Sequence, residues 1–259
     1  MWCVELLEYI VLRVVRKFLV PYQFLLRFGR VIPYFRVNCN QDGADALVGE
    51  YVRLIRKHAP PFPEGRRVRL LEVGAGVTDT VGLLLAEHLD CEVDVCDPYV
   101  EHDPEGTAEG IQRFGISPSS QARMRRIQEP AEAHYDIVLS NSVLEHVADP
   151  GLFFEQMRRA LLPGGVMLHR IDYRDHFFKY PYHFLTFSSF VWNTFLNPGD
   201  LFRWRLDDHL RFIAAAGMKS QVLDSVSDEG EYKKVRSKIR AEFAAMEHHK
   251  VTCASLLVY

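Results

Sequence analysis

Apolar residues along this chain fall into short unbroken runs that alternate with longer periodic ones. Val68, Leu70, Leu71 and Val73 form a run suited to a central parallel strand covered on both faces. Similar runs at 92–96, 124–128, 135–140, 166–171, 221–226 and 251–259 predict six more strands. Between them the spacing turns helical. Val81, Leu84, Leu85 and Leu89 make one apolar stripe, and Phe153, Phe154, Met157 and Leu161 another. Leu210, Ile213 and Ala216 predict a further helix, capped by Asp207 and ended by Gly217, and 231–247 reads as a charged amphipathic helix. Upstream, 42–58 carries Leu47, Val48, Tyr51, Leu54 and Ile55 on one face, with Asp42 as its cap, and a Pro-rich linker follows at 59–65. Residues 1–20 are helical by pattern: Glu5, Glu8, Arg13, Arg16 and Lys17 take one half, leaving Leu6, Leu7, Ile10, Val11 and Val14 on the other.

The first strand runs straight into Gly74-Ala75-Gly76, with Thr78 or Asp79 placed to cap the next helix. Strand, glycine turn and helix N-terminus together make a cofactor seat. A dinucleotide fingerprint needs a third glycine where Asp79 stands, and a negative charge there opposes a pyrophosphate. The second strand ends at Asp97-Pro98, 25 residues after Glu72, where a carboxylate can accept hydrogen bonds from both ribose hydroxyls.

Glu72-Val73-Gly74-Ala75-Gly76 resembles the first motif of the class I S-adenosylmethionine-dependent methyltransferases. Further elements match in order: Asp97; the fourth strand 135–140 continuing as Asn141-Ser142-Val143-Leu144-Glu145-His146; and Leu162-Pro163-Gly164-Gly165 before strand 166–171. The resemblance covers about 66–259. It implies a Rossmann-like methyltransferase fold with a seven-stranded, mostly parallel sheet whose last strand is antiparallel. It also implies S-adenosyl-L-methionine as cofactor, held by Glu72, Gly74, Ala75, Gly76, Asp97, Pro98, Gln128, Glu129, Ser140 and Asn141. The domains expected are an N-terminal helical cap over 1–62 and a methyltransferase domain over 63–259. In such a cap, Gly29 to Arg36 would approach the active site.

Transfer of a methyl group to oxygen calls for a base near neutral pH. His146, His176 and Asp172 are the candidates, with His169 a further histidine near a strand tip. Metal-using members of the family carry Glu-x-x-Glu-His after strand four. Here Ser142 takes the first Glu position, so no metal is expected, although His169, His176 and His183 are potential ligands. Residues 173–206 hold 12 of the chain's 31 aromatic side chains and suggest an aromatic wall around a small, sugar or lipid-linked acceptor.

Bulk properties narrow the classes. The net charge of −3 gives no electrostatic reason to bind nucleic acid, and the Asn/Asp-Pro-Pro-Tyr/Phe motif of amino-methylating enzymes is replaced by Ser140-Asn141-Ser142-Val143. Five cysteines without a Cys-x-x-Cys pair fit a reduced, cytoplasmic protein, and neither a transmembrane run nor a signal peptide is read. Residues 1–36 carry +4, leaving −7 for the rest, so this part could touch a membrane surface or a second subunit. Arg123, Arg125 and Arg126 read as a solvated basic face. A non-catalytic S-adenosylmethionine-binding protein is the alternative to an enzyme.

Overall fold

The computed structural model describes residues 2–20, 43–59, 61, 64–176, 179–199 and 201–259. The expectations for Asp42, for 29–36, and for Phe177 and Phe178 lie outside these. Helix α1 (Trp2–Phe18) and helix α2 (Ala44–His58) precede the sheet. Then come β1 (Arg69–Val73), α3 (Thr80–Leu89), β2 (Glu92–Cys96), α4 (Pro104–Phe114) and β3 (Met124–Arg126). The second half runs β4 (Tyr135–Asn141), α5 (Pro150–Ala160), β5 (Leu161–Asp172), α6 (Leu206–Ala215), β6 (Ser220–Val226), α7 (Glu229–Val235) and β7 (Cys253–Val258).

The seven strands lie in the order β3-β2-β1-β4-β5-β7-β6. β1 to β5 pair in parallel, and β7 runs antiparallel to both neighbours. This is the Rossmann-like sheet expected from the resemblance. Leu70, Leu71 and Val73 on β1 are buried because helices cover both faces. One core packs Val48, Leu54, Leu84 and Leu85 of α2 and α3 on the sheet, and the other packs Phe153, Phe154, Met157 and Ile213 of α5 and α6.

A third core lies outside the sheet. Tyr180, Tyr182, Phe184 and Trp192 pack with Tyr9 of α1 and with Val235 and Phe243. Most described aromatics of the 173–206 segment are thus consumed by packing, with Tyr173 buried in the sheet's own core. α1 meets its expected orientation in part: Ile10 and Val14 pack against this core beside the buried Tyr9 and Arg13, while Leu7 and Val11 face outward.

Three local expectations shift. Arg205, not Asp207, caps α6, with its backbone N–H donating to Asp208 Oδ2 at 3.0 Å. The helix expected over 231–247 is two short pieces, Glu229–Val235 and Ala241–Ala244. Asp79 precedes α3 without a side-chain cap, because its carboxylate is engaged elsewhere.

Candidate functional site

The site stands at the carboxyl ends of β1, β2, β4 and β5. Leaving β1, the backbone enters left-handed conformations at Gly74 (φ 77°) and Gly76 (φ 72°). A Cβ on Gly74 would stand 2.2 Å from Val143 Cγ2, so only glycine allows the turn to lie this close to the β4 exit. Gly74 N donates to Cys96 O at 2.8 Å. Asp97 accepts from Gly76 N at 2.9 Å through Oδ2 and from Tyr99 N at 3.0 Å through Oδ1, tying the β2 tip to the turn.

Electrostatics reinforce this arrangement. Glu72 is buried and its Oε2 has no hydrogen-bond partner among the described residues. Burial first, then the neighbouring Asp79 and Asp97, push its carboxyl up to about 8, against a smaller opposing pull from Arg126. Arg126 donates to Asp79 Oδ1 at 2.6 Å and to Gly76 O at 2.9 Å, and His102 lies 3.0 Å from Asp79. Arg126 is therefore a clamp on the glycine turn rather than part of a solvated face. Arg125 instead pairs with Asp94, and Arg123 donates to Ala86 O.

A cleft of about 500 Å³ opens beside the turn. Ala75, Thr78 and Val81 line one side, Asn141, Ser142, Arg170, Asp172, Arg174 and Cys253 another, and Ala44 and Leu47 of α2 a third. Ser142 is left-handed (φ 54°) at the β4 exit, its N–H held by Arg170 O at 2.9 Å. No aromatic side chain lines this cleft among the described residues, so the expected aromatic wall is not formed there. Ser140 is a second correction. Its hydroxyl is fully buried against His169 Nδ1 at 2.7 Å and does not line the cleft. His169 serves packing as well, and burial drives its imidazole down to about 3, too low for a base near neutrality. Pro98, Gln128 and Glu129 are exposed at strand tips.

The remaining catalytic candidates converge. Leu144–His146 forms a short 3-10 turn after β4, and His176 follows β5. The His146 and His176 rings lie 4.8 Å apart, and donor atoms of Glu145, His146 and His176 all fall within 4.8 Å of one another. The Glu145 carboxyl is buried, has no side-chain hydrogen bond, and is held well above its ordinary range chiefly by that burial. Two imidazoles and a carboxylate are donors a divalent cation can use. The third donor comes from the loop after β5, not from position 142, which is why the motif spacing did not suggest the trio. His183 lies elsewhere, buried among Trp2, Tyr9 and Tyr180. Asp172 is bonded by Arg174 Nη2 at 2.6 Å and Nε at 2.9 Å, so it orients that guanidinium at the cleft edge.

Comparison with known proteins agrees with this architecture. A family profile described as "Methyltransferase domain" matches residues 71–167. A ubiquinone biosynthesis O-methyltransferase of Bradyrhizobium diazoefficiens is 30% identical over 219 residues, covering 73% of this chain and 76% of the relative. Its counterpart in Caulobacter sp. is 32% identical over 107 residues, and the match spans 39% of each chain. In two further such relatives the match spans 61% and 54% of their length. Among solved structures, the CurJ carbon methyltransferase aligns with a TM-score of 0.57 at 17% identity, covering 98% of this chain and 65% of that one, which supports the fold.

Proposed function

This chain belongs to the class I S-adenosylmethionine-dependent methyltransferases, and from that premise we propose that it methylates a hydroxyl group of a small acceptor held in the cleft. The observation that carries the reading is the charge around the glycine turn. Two carboxylates, Asp79 and Asp97, and the buried Glu72 carboxyl, which a cationic ligand would bring to its charged form, stand against one guanidinium, Arg126. Such a site favours a cationic nucleoside over a pyrophosphate.

The residues present fit S-adenosylmethionine. The turn is open at Gly76, where a Cβ would meet nothing within 4 Å, and the orphaned Glu72 Oε2 belongs to a buried carboxyl beneath it that a cationic ligand would ionise. Asp97 keeps acceptor capacity for ribose hydroxyls beyond its two backbone bonds. Asn141 and Ala75 border the same cleft, and Gln128 and Glu129 stand ready at the β3 end. When bound, the cofactor supplies an activated methyl group on sulfur.

The chain's own groups then position the acceptor and take its proton. An imidazole nitrogen of His146 or His176 receives the hydroxyl proton, with the buried Glu145 carboxyl within 4.8 Å of both rings. Asp172 fixes Arg174 so that its guanidinium orients the acceptor. The choice of oxygen draws support from the naming of the Bradyrhizobium relative.

Calorimetric titration with S-adenosylmethionine tests the cofactor. Micromolar binding is expected, weakened by about 10-fold or more in Asp97→Ala, which is about 1.4 kcal/mol. A screen of phenolic and sugar hydroxyl acceptors with labelled cofactor tests the chemistry. His146→Ala and His176→Ala should lower turnover by about 100-fold with cofactor affinity retained. A folded protein that binds no cofactor would overturn the proposal.

A further inference from the structure

β4 and β5 are hydrogen-bonded parallel neighbours, with Asn141 opposite Arg170. Both strands end at the same edge of the sheet, so the segments that leave them stay side by side. Glu145 and His146 follow the end of β4, and His176 follows the end of β5. Ser142 and Asp172 on these same two segments line the cleft. Both segments are braced. His146 N donates to Val143 O at 2.9 Å inside the 3-10 turn. Asp175 N donates to Pro181 O at 3.0 Å, and its buried carboxylate is shared by Tyr9 and Arg13. On this scaffold the donor atoms of Glu145, His146 and His176 come within 4.8 Å of one another. Glu145 sets the trio apart from an ordinary polar cluster. It is 2% exposed, and neither side-chain oxygen makes a hydrogen bond to the described residues. A buried carboxyl without a hydrogen bond is costly, and a cation that it can ligate removes that cost.

We propose that Glu145, His146 and His176 bind a divalent transition-metal cation of the zinc class. Two imidazoles and one carboxylate favour Zn2+ and its transition-metal neighbours over Mg2+ and Ca2+, which prefer all-oxygen donors. Bond lengths of about 2.0–2.2 Å draw the three donors to roughly 3–3.5 Å from one another, which needs only side-chain adjustment from the present spacing. Three protein donors also leave a coordination position open, as in catalytic rather than structural zinc sites. The site is read without reference to any acceptor. One consequence does rest on the proposed function. A nitrogen that ligates a cation cannot also receive a proton, so occupancy of the site and the base role of His146 or His176 exclude each other at that nitrogen.

Calorimetric titration of the metal-stripped full chain with zinc chloride tests the site. One saturable site is expected, weakened by about 100-fold or more in His146→Ala and in His176→Ala, and by about 10-fold or more in Glu145→Gln. Magnesium chloride at the same concentrations should give no saturable binding. Melts without metal show that each variant folds, and Zn2+ should raise the thermal midpoint of the wild type but not of the histidine variants. Zn2+ should also slow methyl transfer in step with occupancy, and transfer that quickens with occupancy overturns the exclusion. No saturable Zn2+ site in the wild type overturns the proposal. Binding that all three variants retain at wild-type affinity places the cation on other residues and overturns it as well. Titration with S-adenosylmethionine reads the cofactor seat separately, so failure here leaves the proposed function standing.

Discussion

Arg126 and Asp79 meet at 2.6 Å, across 47 positions of sequence, and the same guanidinium reaches the carbonyl of Gly76 at 2.9 Å. Asp79 was the residue whose charge spoke against a pyrophosphate. It is buried and paired, so it shapes the turn as well as its electrostatics. Arg126→Met leaves that buried carboxylate only His102, 3.0 Å away, and a loss of about 3 kcal/mol is expected. Urea denaturation of Arg126→Met, Asp79→Ala and the double variant checks this. The double variant should lose less than the two single losses together, and strictly additive losses would show that the pair is not coupled.

Gly74 and Gly76 make a matched comparison. Both adopt positive φ, but only at Gly74 does a Cβ collide, 2.2 Å from Val143 Cγ2; at Gly76 the space is open. Gly76→Ala should cost about 1 kcal/mol of backbone strain. Gly74→Ala should cost clearly more and reduce cofactor affinity by about 10-fold or more, because the turn must move away from the β4 exit. Paired calorimetry and thermal melts distinguish the two positions.

The buried Glu72 carries a pH signature. Folding holds its carboxyl up to about 8, whereas the unfolded chain releases that proton near 4.5. Between these values the folded state binds more protons, so stability declines as pH rises through the interval, by at most about 1.4 kcal/mol per pH unit. Glu72→Gln should flatten that slope in urea melts taken from pH 5 to 8. A cationic ligand should draw the proton off Glu72, so wild-type cofactor binding should tighten with rising pH over the same range and the variant's should not.

Asp175 joins α1 to the segment after β5 that carries Arg174 and His176. Asp175→Ala removes the carboxylate that the buried Arg13 guanidinium and Tyr9 hydroxyl share, at a cost of about 3 kcal/mol. Limited proteolysis should then cleave near α1 at protease levels the wild type resists. Methyl transfer should fall further than cofactor affinity, because the loop bearing His176 loses its anchor while the glycine turn keeps its own.

Much of the sheet was legible because a buried parallel strand has no polar face to write. Residues 68–73 and 135–140 could be read from hydrophobicity alone, and the glycines after β1 announced a turn. Asp97 was legible for the same local reason, since it ends a strand at a set distance from the turn. Helix ends were less legible. Asp207 and Asp208 are both suitable caps by type, and only the fold chose Arg205 as cap with Asp208 bonding its N–H.

Side chains whose partners lie far along the chain carried no local sign. The three arginines at 123, 125 and 126 look alike in sequence, yet each found a different partner once β3 was set beside β2. Ser140 and Asn141 are neighbours, but the strand's two-residue alternation turned one into the core and the other toward the cleft. The aromatic cluster of 173–206 predicted burial or a pocket equally well, and packing against α1 chose burial for most of it.

The sequence by itself determined the strand and helix pattern, the glycine turn and the family, because these depend on residues near one another in the chain. The tertiary structure decided which charges are neutralised, which histidines meet, and which way α1 faces. Those outcomes depend on desolvation and pairing between segments more than a hundred residues apart, such as Tyr9 with Asp175, and burial is a property of the folded neighbourhood that no local pattern encodes.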